Sequence, residues 1–100
     1  MAIPLESVDY DFFAPLVGGG FTATAGNVAV GLRLDEVRKL GHRRSGATRD
    51  PFSLLFRGPQ GLRLPQGIYL LSCEAFGEVE LFITQVADGA KGSEFEAIFT

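Results

Sequence analysis

PFSLLFRGPQGLRLPQGIYLLSCEAFGEVELFITQV, residues 51 to 86, alternates dense apolar runs with clusters of chain-turning residues. The runs 52–57, 68–73 and 79–86 are rich in Leu, Ile, Val, Phe and Tyr and read as β-strands. Gly58-Pro59-Gln60-Gly61, Pro65-Gln66-Gly67 and Phe76-Gly77-Glu78 read as the breaks between them. Successive side chains of a strand point to opposite faces, so each run sorts into two phases. Phe52, Leu54 and Phe56 share one phase, as do Tyr69, Leu71 and Cys73, and Val79, Leu81 and Ile83. The other phase holds Ser53, Leu55 and Arg57, then Ile68, Leu70 and Ser72, then Glu80, Phe82 and Thr84. Leu62-Arg63-Leu64 is too short for more than an edge strand or a loop.

Working outward toward the N-terminus, residues 21–24 form a short strand, and Gly26 or Asn27 supplies a positive-φ turn. Val28, Val30, Leu32 and Leu34 then alternate with Ala29, Gly31, Arg33 and Asp35, which is a strand with one wet face. Its continuation through residues 35–41 reads either as a capped helical turn ending at Gly41 or as a bulged strand, and the spacing of Leu32, Leu34 and Val37 favours the strand. Before the glycines at 18–20, Ser7 or Asp9 caps one or two turns of helix whose Phe12, Phe13 and Leu16 plug one end of the β structure. Toward the C-terminus, residues 88–93 make a turn, and Phe95, Ala97 and Phe99 alternate with Glu94, Glu96 and Ile98.

These segments predict one domain over residues 1–100. It is mostly β, a small antiparallel six-stranded barrel or sandwich with one short N-terminal helix, because the connections are too short for parallel crossovers. Its expected core contains Phe52, Leu54, Phe56, Tyr69, Leu71, Leu81, Ile83, Phe95 and Phe99. At 100 residues and 46% apolar content the chain can build that core without metal or disulfide, and its single cysteine forms no internal bridge. No apolar run reaches the roughly 20 residues of a membrane helix, and the first residues do not resemble a secretion signal. The expected location is the cytoplasm, or outside the cell as part of an exported assembly.

The formal net charge of −3 is unevenly placed. Between Arg33 and Arg63 eight basic residues stand against three acidic ones, whereas from Glu74 to Glu96 six acidic residues stand against one basic. The two segments complement each other within one chain or between copies. Arg38, Lys39, Arg43, Arg44 and Arg49 cluster around the polar run 42–50. That run is a solvated loop or a contact surface for an acidic partner or phosphate.

Several stretches look like a family of bacterial domains of uncharacterised function. They are Phe13-Ala14-Pro15-Leu16-Val17-Gly18 with Phe21, Pro51-Phe52-Ser53-Leu54-Leu55-Phe56-Arg57-Gly58-Pro59, Leu64-Pro65-Gln66-Gly67-Ile68-Tyr69, Gly77 with Leu81-Phe82-Ile83, and Phe95-Glu96-Ala97-Ile98-Phe99. Members are often encoded near proteins with phage-tail-collar-like domains, and related sequences often have Pro where Gln85 stands here. The resemblance spans nearly the whole chain but rests on Gly, Pro and apolar residues. It implies an accessory or assembly role in a tail-like or surface appendage and brings no catalytic residue with it.

Chemistry-bearing constellations are sparse. Cys73 shares a phase with Tyr69 and Leu71, so a buried, inert thiol is expected rather than a nucleophile activated by His42. One His and one Cys make no metal motif. Glu74, Glu78 and Glu80 flank a hairpin, where carboxylates are normally solvated. The glycines at 18–20 lack the helix and Lys-Ser/Thr of a phosphate-binding loop. The sequence implies no cofactor and no catalytic site. It points to a non-enzymatic structural or protein-interaction module, self-associating through a strand edge or docking on a larger assembly. Anion or nucleic-acid binding through the basic 38–49 segment is the alternative, with nucleic acid disfavoured by the acidic pI of about 5.0.

Overall fold

The computed structural model describes residues 2–3, 8–41, 46 and 49–99. Among these described residues seven strands form one sheet: β1 (Ala2–Ile3), β2 (Gly20–Ala25), β3 (Val28–Lys39), β4 (Phe52–Gly58), β5 (Gly67–Cys73), β6 (Gly77–Gly89) and β7 (Gly92–Phe99). Their order is β1-β6-β5-β2-β3-β4-β7, and a further β6–β7 pairing closes six of them into a ring. Every pairing in the ring is antiparallel. The sequence alternation thus gives the expected fold class, realised as a closed barrel.

Two long, bulged strands make the closure possible. β3 pairs with β2 through residues 28–33 and with β4 through residues 33–39, and its register shifts between Leu34 and Glu36. β6 pairs with β5 through residues 77–83 and with β7 through residues 84–89, with a shift between Gln85 and Ala87. Each bulge inserts one residue, Asp35 or Val86, where the strand changes partners. An extra residue raises the local twist and bends the strand around a corner of the barrel. The strand reading of 35–39 therefore holds, and the helical alternative does not.

Short links join the remaining strands. In the β2–β3 turn Gly26 has φ +57°, and Asn27 beside it does not take positive φ. That matches a type II′ turn, which needs positive φ only at its first central residue. Gly77 opens β6 with φ +95°.

The inward phase fills the barrel. All nine expected core residues are buried, together with Phe13, Phe21, Leu32, Leu34 and Val79. Phe13 belongs to helix α1 (Tyr10–Phe13), whose N-cap is Asp9, accepting from the Phe12 amide at 2.9 Å. Its ring lies 5.8 Å from that of Phe99 and 6.1 Å from that of Phe52, so the helix plugs one end as expected. Phe12 and Leu16 pack only partly against the core.

One expectation is corrected here. The C-terminal strand is not a free edge: β7 pairs with β4 through residues 93–99 and with β6 through residues 92–96. Docking of a terminal strand on a neighbour's sheet has no basis, because the ring itself uses that edge. The charge complementarity is met in part within the chain, one of the two alternatives that the sequence leaves open. Arg57 reaches Asp35 at 3.1 Å and Glu94 at 2.9 Å, Arg33 reaches Asp35 at 3.1 Å, and Arg63 reaches Asp88 at 3.7 Å. Two further features were not anticipated. Ala2–Ile3 adds a parallel strand beside Glu78 and Val79 of β6. Residues 62–64 are a loop, one of the two readings offered for them, but one held by the Gln85 side chain, which accepts from Leu64 N at 3.1 Å and donates to Leu62 O at 2.9 Å.

Candidate functional site

The outward phase of β5, β6 and β7 carries large apolar side chains where polar ones would suit water. Ile68 is 63% exposed, Phe82 56% and Ile98 60%. Ile68 and Phe82 are cross-strand partners. The β6–β7 ladder ends at the pair Thr84 and Glu96, and Phe82 and Ile98 are the next outward residues beyond that pair on their two strands. Ile68 and Phe82 are thus paired, and Ile98 stands on the outward face of the neighbouring strand one step beyond the Thr84–Glu96 pair. Ser53 follows on β4 and Arg38 on β3.

Carboxylates stand among these apolar groups. Glu80 is one outward position from Phe82 and Glu96 is one outward position from Ile98, as the period of two requires. Among the described residues neither makes a hydrogen bond or an ion pair. Glu36, Asp88 and Glu94 each face an arginine. Partial burial pushes the Asp35 carboxyl up, but hydrogen bonds and charge from Arg57 and Arg33 outweigh it and hold the group below its ordinary value. The hydrogen bond to Asp35 in turn raises the Arg57 guanidinium above its own, against the effect of burial.

The described basic residues expected to form a contact surface have partners within the chain, and Lys39 and Arg49 line one small pocket together with Asp9, Asp11 and Asp50. Arg38 bonds Glu36 at 2.7 Å. The Lys39 ammonium lies 4.8 Å from the centre of the Tyr10 ring. Arg49 works as a latch: its Nη1 donates to Val8 O at 2.9 Å while its guanidinium sits 5.2 Å from the Phe99 ring and 5.9 Å from Phe52. Arg43, Arg44 and His42 lie outside the described residues.

A second feature is an open groove of about 920 Å³ on the outside of β2, β3 and β5. Its floor runs through Gly31, Thr22 and Ser72, which are cross-strand neighbours, and the segment around Val17 walls one side. No atom lies within 4 Å of where a Cβ would stand at Gly20 or Gly31, so missing side chains deepen it. Cys73 opens onto this groove and is only half-buried, which corrects the expectation of a buried thiol. The cause is its position at the last residue of β5, where the strand runs out of the barrel into the 74–76 turn. Among the described residues no three His, Cys, Asp or Glu side chains converge as a metal site would need. No described helix is long and apolar enough to cross a membrane.

The apolar set was visible in the sequence as a break in phase. Ile68, Phe82 and Ile98 each occupy the side of their strand that also carries Ser72, Glu80 or Glu96. What alternation alone lacks is the strand order that brings them together. No curated protein and no solved structure matches this chain. The family described as Domain of unknown function (DUF6916) does match, over residues 8–99, which is the whole barrel from α1 to the end of β7, and the chain belongs to it.

Proposed function

We propose that this domain is a non-enzymatic protein-interaction module that docks through the outer face of β5, β6 and β7. The observation that supports it is the set Ile68, Phe82 and Ile98, each more than half exposed on the outward face of three neighbouring strands, the first two as cross-strand partners. Fully burying such a side chain is worth about 1.5–3 kcal/mol, so a partner covering the set gains roughly half of that per residue. Scattered apolar residues on a surface are ordinary, but a contiguous set marks a contact site. The resemblance to domains encoded beside phage-tail-collar-like proteins is in keeping with an accessory part of a tail-like or surface assembly. Anion binding through residues 38–49 has less support, since Arg38, Lys39 and Arg49 already have partners within the chain.

A photo-crosslinking amino acid at position 82, introduced in the producing cell, tests the reading. A discrete protein adduct is expected at position 82 and not at position 29, exposed on β3, which is three strands from β6 in either direction round the ring. Equal labelling at both positions, or none at 82, counts against docking at this face.

A further inference from the structure

The docking face carries charge as well as apolar surface, and the charge selects the partner. Glu80 beside Phe82 and Glu96 beside Ile98 are without hydrogen bonds or ion pairs among the described residues, unlike Glu36, Asp88 and Glu94. A protein that covers Phe82 and Ile98 takes water from both carboxylates, and a desolvated carboxylate needs a compensating cation. Resting on the docking reading above, we propose that the partner is a protein surface whose apolar side chains are flanked by Lys or Arg. A second copy of this chain is a poor occupant. Stacking this face on itself about a two-fold axis through Phe82 brings both copies' Glu80 and Glu96 into one interface, where like charges repel.

The test uses the full chain and two synthetic probes, a short peptide of alternating Leu and Lys and its counterpart of alternating Leu and Glu. Binding is followed by the NMR signals of the Ile68 and Ile98 methyl groups. The Leu/Lys peptide is expected to shift both, with affinity that falls as salt is raised. Replacing both carboxylates (Glu80→Gln with Glu96→Gln) should weaken it about tenfold or more and flatten the salt dependence, while the melting curve of the free domain stays in place. The Leu/Glu peptide should bind at least tenfold more weakly. Equal shifts with both peptides, or an unchanged affinity in the Gln variant, overturn the basic partner but leave docking at this face intact. Failure of the Leu/Lys peptide to move the two methyl groups, or equal binding to Phe82→Ser, overturns both. A dimer at neutral pH that Phe82→Ser dissolves puts a second copy in the partner's place.

Discussion

Phe52 of β4 and Phe99 of β7 stack face to face, with ring centroids 4.5 Å apart and planes 4° from parallel. They are cross-strand partners, so the pair ties the strand that follows the polar 42–50 run to the strand that completes the ring. Phe13 and the Arg49 guanidinium pack against the same two rings, which joins the N-terminal plug to the closure. Truncating Phe99 to Ala removes a buried ring and leaves a cavity beside three partners. Such changes cost about 3–5 kcal/mol, a large part of the roughly 5–15 kcal/mol that holds a domain folded. Urea denaturation should show that loss. A midpoint within error of wild type would mean that Phe99 is not a core residue.

Gly92 is a separate point of closure. It has φ +116°, and a Cβ there would lie 2.5 Å from the Gly58 carbonyl oxygen. Backbone strain and steric conflict each cost about 1–3 kcal/mol, so Gly92→Ala should lose about 2 kcal/mol or more. Its ladder partner Gly89 has an ordinary φ and open space around its Cα, so Gly89→Ala should stay within about 0.5 kcal/mol of wild type. Equal melting of the two variants would contradict the close approach.

The Asp35 carboxylate sets a pH dependence. Its pKa is depressed in the folded state, so its contribution is complete above the unfolded value of about 3.9 and is lost as pH falls through the lower folded value. Arg57 is raised above a value already outside the working range, so it stays charged throughout and adds no slope of its own. Wild type should therefore lose stability below about pH 4 more steeply than Asp35→Asn does. Parallel curves for the two proteins would remove Asp35 from the explanation of acid unfolding.

Gln85 takes the place of a strand partner for residues 62–64. With Gln85→Ala the Leu64 amide loses the Oε1 acceptor, and a part-buried amide without a partner costs about 1–3 kcal/mol. Hydrogen exchange at Leu64 should accelerate much more than at Leu54 in the centre of β4. Unchanged protection at Leu64 would show that something other than Gln85 holds this segment.

The distribution of what could be read from the sequence follows from how far each signal reaches. Period-two alternation is local, so it places Phe52, Leu54 and Phe56 in the core and marks the irregularity at Asp35 from neighbouring residues alone. Barrel closure depends on Gln85 pairing with Phe95 after β6 has already paired with β5, and only the register of two distant bulges decides that. Arg49 reads as one more cation in a polar run, yet its role depends on Val8 and Phe99 meeting it from opposite ends of the chain. The apolar set lies between these cases, since its members are out of phase in the sequence but on neighbouring strands only through the strand order.

Phe56 and Phe82 give the sharpest comparison of the two faces, because the same side chain is buried at one position and more than half exposed at the other. Phe56→Ala should cost about 3–5 kcal/mol, from lost burial and the cavity left behind. Phe82→Ala removes a ring that is already largely in water, so its cost should be within about 1 kcal/mol. A side chain kept for stability would follow the first pattern, and one kept for contact follows the second. Phe82→Ala should also reduce retention on a hydrophobic-interaction column, since it removes a member of the exposed set. Both variants melting together well below wild type would place Phe82 in the fold's own core and take away the exposed face on which docking depends.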